Sequence, residues 1–130
     1  MKIKEVMRNA KIISPDATAK EAAVLMSCQH IGSLIVVDKD EKVAGIVTER
    51  DIISKVTAEN KIPNKVSVWQ IMSPKVITIG PNDMLDDAVY LMIQHKIKKL
   101  PVVDDDELVG IITSTDIVAN SSEIGEFYLF

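Results

Sequence analysis

The chain carries nearly the same stretch twice. LIVVDKDEKVAGIVTERDII at residues 34–53 returns as LPVVDDDELVGIITSTDIV at 100–118. Gly45 and Gly110, like Asp51 and Asp116, stand 65 residues apart, whereas Pro15 and Pro81 stand 66 apart, so the second copy has lost one residue in its DDDE turn. Duplicated half-units of this size bury their apolar faces by stacking, which predicts packing about a pseudo-twofold axis with paired clefts between the copies.

At 130 residues there is room for a real core but not for a core plus a separate catalytic domain, so both copies are expected to share one. An apolar fraction of 47% with 26% charged residues belongs to a globular chain. No apolar run approaches the roughly 18 residues that would cross a bilayer. The N-terminus, MKIKEVMRNA, lacks the continuous apolar stretch of a signal peptide, and a lone Cys28 builds no disulfide framework. A cytoplasmic location is the expectation. A net charge of −4 and scattered lysines argue against a nucleic-acid surface. The short run Lys96, Lys98, Lys99 suffices for one small anion.

Each copy opens on a short extended segment, Lys11 to Ser14 and Val76 to Ile79, ended by Pro15 or Pro81. A helix follows. Thr18 and Glu21 form a T-x-x-E capping box in the first copy, with Ala22, Leu25 and Met26 on one face; in the second, Asp83 is the expected cap and Ala88, Leu91 and Met92 the matching face. Two runs rich in Val and Ile then predict strands covered on both sides, Leu34 to Asp38 with Val43 to Thr48, and Leu100 to Asp104 with Leu108 to Thr113. Thr-x-x-Asp opens a last helix, Asp51 to about Val56 and Asp116 to about Asn120. The fold class is α/β (α+β), with two β-α-β-β-α repeats at 1–56 and 68–120, a polar linker at 57–67 and a tail at 121–130. The tail GEFYLF holds three of the five aromatic residues, which suggests docking on the body or on another subunit. Trp69 is expected to seal the junction between the halves. The recurrent Met7, Met26, Met72 and Met92 are expected in packing.

Chemistry concentrates at the strand-to-helix junction G-h-h-T-x-x-D, where h is aliphatic: Gly45 to Asp51 and Gly110 to Asp116. A helix start presents free N–H groups that suit phosphate, threonine hydroxyls add donors, and a carboxylate can take both hydroxyls of a ribose diol. The same pattern also describes an ordinary capping box that binds nothing. Two copies with the same flanks favour a ligand.

On these residues, with the Val6-Met7 and Ile71-Met72 pairs, the chain resembles a tandem pair of CBS domains, often termed a Bateman module. The resemblance covers essentially the whole sequence. It implies a non-catalytic regulatory module that binds an adenosine-containing ligand such as AMP, ADP, ATP, S-adenosylmethionine or NAD, senses metabolic state for a partner protein, and pairs into a disc-shaped homodimer. It carries the ribose acids onto Asp51 and Asp116, phosphate-side hydroxyls onto Thr48, Thr113 and Thr115, and phosphate-facing bases onto Lys98 and Lys99. Adenine would lie between Ile111 and the opposite copy's Ile31 and Gly32 in the Asp116 cleft, and between Ile46 and Ile97 in the Asp51 cleft. The first copy departs from the pattern: Gly32-Ser33 replaces Lys98-Lys99, Ile35 replaces Pro101, and Arg50 replaces Thr115. Arg50 could partly compensate, or reach the neighbouring ligand. The expectation is one tight site, at Asp116, and one weak or empty site.

Two other readings stay open: an interaction scaffold with vestigial clefts, and an enzyme acting on nucleotides. Cys28, His30 and His95 fall near helix ends and His95 aligns with Gln29, so an ordinary packing or surface role is expected of them. No metal-ligand pair or Gly-rich phosphate loop appears. The acids Asp104 to Glu107 read as a solvated hairpin tip, not a cation site.

Overall fold

A computed structural model of the chain describes residues 1–120; the aromatic tail expected to dock lies outside them. The fold is α+β, and it divides into two compact units, Lys11–Val76, and Met1–Ala10 together with the chain from Ile77 onward. These units cut the chain elsewhere than the repeats at 1–56 and 68–120.

In the Lys11–Val76 unit, β1 (Ile12–Ile13) runs parallel to β2 (Ser33–Val37), which pairs antiparallel with β3 (Val43–Thr48). A parallel neighbour needs a crossover, and α1 (Ala19–Gln29) supplies it. Thr18 and Glu21 start that helix as expected: the Glu21 N–H donates to Thr18 Oγ1 (3.1 Å) and the Thr18 N–H to Glu21 Oε2 (3.1 Å). It stops where His30 turns left-handed (φ 55°) and the Ile31 N–H reaches back to the Met26 carbonyl (3.0 Å), a Schellman closure. After β3 comes α2 (Glu49–Ile52), which runs into a single π-helical turn at Ile53–Thr57. The exposed linker then makes a 3-10 turn at Pro63–Lys65 and leads into α3 (Val68–Ile71). Trp69, on α3, is 55% exposed.

The second unit repeats the plan with α4 (Leu85–His95), β4 (Lys99–Asp104), β5 (Glu107–Thr113) and α5 (Ser114–Asn120). The extended segment expected at Val76 to Ile79 reduces to one parallel bridge, Ile79 to Val102. Asp83 does not cap α4. Met84 occupies that position, with its N–H on Asp87 Oδ2 (3.0 Å), while Asp83 accepts the Gly80 N–H (2.8 Å) inside the preceding turn. The carboxylate competes for a local turn and the helix starts one residue later. Strands β2 and β4 each bury three consecutive residues, as their unbroken aliphatic runs implied.

Instead of one shared core there are two clusters. One gathers Met26, Leu34, Val36, Val47 and Val56 with Val66 from the end of the linker and Val68 and Ile71 from beyond it. The other gathers Leu85, Met92, Leu100, Val102, Ile112 and Ile117 with Ile3 and Val6 from the N-terminal segment. Each cluster is therefore completed by residues at or just before the start of the other repeat. Ser73 bridges to Ile46 on β3, and Arg8 bridges to Ile111 on β5. Both bridges run past a glycine. A Cβ on Gly45 would sit 2.7 Å from the Ser73 carbonyl oxygen, and one on Gly110 would sit 2.9 Å from the Arg8 carbonyl oxygen and the Met7 sulfur. Backbone cannot step aside as a side-chain tip can.

Gly110→Ala should therefore lower the unfolding free energy by about 1–3 kcal/mol. Gly32→Ala, whose new methyl meets only the tip of exposed Glu49, should stay within about 0.5 kcal/mol. Urea denaturation of the two variants checks this, and equal losses would contradict it.

Candidate functional site

Each G-h-h-T-x-x-D junction folds into the same closed ring of bonds. In the first repeat Thr48 caps α2: the Asp51 N–H donates to Thr48 Oγ1 (3.1 Å), while Asp51 Oδ2 accepts from the Thr48 N–H (2.9 Å) and hydroxyl (3.0 Å). In the second, the Asp116 N–H donates to Thr113 Oγ1 (3.1 Å), and Asp116 Oδ2 accepts from the Thr113 N–H (3.1 Å) and hydroxyl (2.8 Å). The capping box weighed against a ligand in the sequence is thus present at both junctions. It engages only one oxygen of each carboxylate.

The other oxygen takes a cation, and here the repeats differ. Asp116 Oδ1 is paired with the Arg8 Nε. Asp51 Oδ1 is paired at 3.1 Å with Lys55 Nζ, which also donates to the Ile71 carbonyl (2.9 Å). Asp116 is 1% exposed and Asp51 9%; they are the buried charged side chains among the described residues. Burying a carboxylate is costly unless it is paired and hydrogen-bonded. Both acids are, and no buried side-chain N or O among the described residues lacks a partner.

The sequence missed Arg8 and Lys55. Lys55 stood four residues after Asp51, a spacing that puts both on one helical face, so a signal was available. Arg8 had none, because it meets Asp116 only through the bridge to Ile111.

Within the second unit the structure brings several expected residues to one junction. Lys99 begins β4 and pairs across the ladder with Thr113, and the Lys98 carbonyl accepts the Ser114 N–H (2.9 Å) at the start of α5. Ile111 lies two residues before Thr113 on β5, and Thr115 is exposed on the first turn of α5. Ile97 is held by the Schellman bond of its N–H to the Met92 carbonyl (3.0 Å). In the first unit Gly32 mirrors Lys98, its carbonyl accepting the Glu49 N–H (3.0 Å). Arg50 is exposed on α2, and Ile46 lies half-buried on β3. Ile31 and Gly32 line a surface hollow of about 480 Å³ with Glu49, Ile52 and Ile53, but neither Thr48 nor Asp51 lines it. Ile31 and Gly32 belong to one unit and Asp116 to the other; Ile97 and Asp51 are divided likewise.

Cys28, His30 and His95 are exposed. Among the described residues no cluster of three or more His, Cys, Asp or Glu could hold a metal ion, and no helix is long and apolar enough to cross a membrane.

Thr113→Val keeps the bulk of the side chain but removes both bonds of its hydroxyl, so it should cost about 1 kcal/mol of stability, the usual loss for a missing cap. Thr113→Ser should restore most of it. Thermal unfolding of the pair tests whether the hydroxyl holds the ring together.

Comparisons with known proteins agree with this architecture. An uncharacterized protein of Methanopyrus kandleri is 42% identical over 106 residues, covering 81% of this chain, which spans 54% of that protein. Inosine-5'-monophosphate dehydrogenase of Nitrosopumilus maritimus is 34% identical over 117 residues, covering 89% of this chain but only 23% of the enzyme. Among solved structures, a hexameric CBS-CP12 protein from bloom-forming cyanobacteria superimposes with a TM-score of 0.82 at 31% identity, over 96% of this chain and 73% of that one. The CBS domain family matches at residues 3–58 and again at 68–123. CBS pairs are regulatory modules that often bind adenosine ligands. With both matches in tandem over most of its length, the chain belongs to the CBS domain family.

Proposed function

We propose that this chain is a regulatory module that binds an adenosine-containing nucleotide, performs no catalysis of its own, and passes the signal to a partner protein. The observation that carries this reading is that the buried charged side chains among the described residues are Asp51 and Asp116, the acids that the duplicated junction nominates for ribose. Each is held at a fixed angle by its threonine, with one oxygen facing a displaceable cation.

Arg8 is the natural exchange partner. Its side chain is 69% exposed, so it can leave Asp116 Oδ1 at little packing cost while ribose hydroxyls take its place. A guanidinium released there is well suited to phosphate, which it grips in a bidentate fork. Arg8, Lys98 and Lys99 are the basic residues of that junction, with Thr115 as a neutral donor and Ile111 as an apolar contact, while Thr113 commits its one hydroxyl proton to Asp116 Oδ2. At Asp51, the competing cation Lys55 is anchored to the Ile71 carbonyl and is harder to displace. Arg50 is the other basic residue at that junction. The proposal keeps one tight site, at Asp116, and one weak site, at Asp51, with Ile46 and Thr48. Ile31, Gly32 and Ile97 are the adenine contacts that the proposal retains.

The dehydrogenase likeness is confined to about a quarter of that enzyme's length. That share of a larger enzyme is compatible with a regulatory role, and the hexameric relative supports self-association, for which a homodimer is the simplest form. Cytoplasmic residence accords with an intracellular nucleotide as ligand.

Calorimetric titration with AMP, ADP, ATP, S-adenosylmethionine and NAD tests the reading. Asp116→Ala should weaken the best ligand by about tenfold or more, since a hydrogen bond to a charged group contributes about 1.5–3 kcal/mol. Asp51→Ala should weaken it less. An unchanged affinity in Asp116→Ala would overturn the site. A complete absence of ligand-induced thermal stabilisation in the wild type would favour the scaffold reading.

A further inference from the structure

Below the first junction lies a second hollow, of about 500 Å³, that the duplicated motif does not include. It is bordered by Lys55, Lys61 and Lys65, by Glu59 as the one acid, and by Gln70 and Ile71. Three ammonium groups stand against two carboxylates, Glu59 and the Asp51 paired with Lys55, which leaves a net positive charge at the hollow in a chain whose formal charge is −4.

Backbone geometry gathers these side chains. The π turn at Ile53–Thr57 carries Lys55, and such turns recur at functional positions. Asn60 then turns left-handed (φ 56°) and the Lys61 N–H folds back onto the Val56 carbonyl (2.9 Å). The 3-10 turn Pro63–Lys65, closed by the Lys65 N–H on the Ile62 carbonyl (2.9 Å), brings up the third lysine. Gln70 spends its Oε1 on the Ser67 N–H (2.8 Å), which leaves its amide NH2 as a donor. Lys55 Nζ has three protons and gives two of them to Asp51 and the Ile71 carbonyl. Apolar Val66 and Ile71, 6% and 2% exposed, line the hollow beside the lysines.

Lys55 has no lysine counterpart in the second repeat. The residue at the matching offset of 65 from Lys55 is Asn120, whose amide turns back onto the Asp116 carbonyl (2.8 Å). Lys55 is therefore no requirement of the repeat fold.

We infer that the Lys55–Lys61–Lys65 hollow is a binding site for a small polyanion of the phosphate class, distinct from the Thr-x-x-Asp junctions and independent of whether those bind nucleotide. The charges surround one concave site of small-molecule size, too short to follow a nucleic-acid strand. Lys55 also links the hollow to Asp51, since any anion that draws on its ammonium alters the ion pair on that acid.

Titration of the full chain with inorganic pyrophosphate at fixed ionic strength, followed by amide NMR shifts, tests the site. Shifts should concentrate in residues 55–71. The double variant Lys61→Gln/Lys65→Gln, both positions being exposed, should lose affinity by about fivefold, whereas Lys39→Gln/Lys42→Gln, exposed in the turn between β2 and β3, should remain within about twofold. If the lysine variant at 61 and 65 binds as tightly as wild type, or if the shifts gather around Lys98 and Asp116 instead, the site does not exist. Nucleotide titration of the same double variant separates the two proposals: unchanged nucleotide affinity with lost pyrophosphate binding identifies two sites.

Discussion

Gly45 and Gly110 each let a second stretch of backbone approach closer than any side chain would permit, and much of the molecule follows from that approach. With Ser73 against Ile46, the chain entering the bridge places Ile71 and Val68 in the first cluster and aims the Ile71 carbonyl at Lys55. With Arg8 against Ile111, it places Ile3 and Val6 in the second cluster and brings the Arg8 guanidinium onto Asp116. Core closure and site electrostatics are thus consequences of one contact, made twice. The glycine of the duplicated motif serves packing first and chemistry second.

The duplication is faithful in its scaffold and unfaithful in its charges. Both acids sit in the same ring with threonine, yet one is countered by an arginine from a distant segment and the other by a lysine one turn along its own helix. A planar fork at an exposed position and an anchored ammonium are different counterions in geometry and in ease of release. The two copies differ in the counterion of the acid and agree in the ring that ends the strand.

Local chemistry was legible where both partners of a bond lie within a few residues. Thr18 and Glu21, and the two Thr-x-x-Asp rings, could be named from spacing alone, and the aliphatic runs of β2 and β4 announced burial on both faces. Asp83 misled because a carboxylate near a helix start has two local uses, and the Gly80 turn took it. The exchange of segments was invisible for a different reason. Val6-Met7 and Ile71-Met72 look alike in sequence, and likeness does not say which strand each one joins. Arg8 went unnoticed with it, since its partner lies far along the chain, and the lysine hollow depends on a π turn that no periodicity foretold.

The exchange also sets an order of events at the ribosome. Residues 11–76 form an uninterrupted stretch holding every piece of their unit, so they can close as soon as they emerge. Residues 1–10 cannot: Ile3 and Val6 belong in a cluster whose remaining members run to Ile117, which leaves those apolar side chains uncovered for a time on the order of ten seconds at ordinary rates of synthesis. The charged neighbours of that waiting segment, Lys2, Lys4, Glu5 and Arg8, keep it in water until its partner strands arrive.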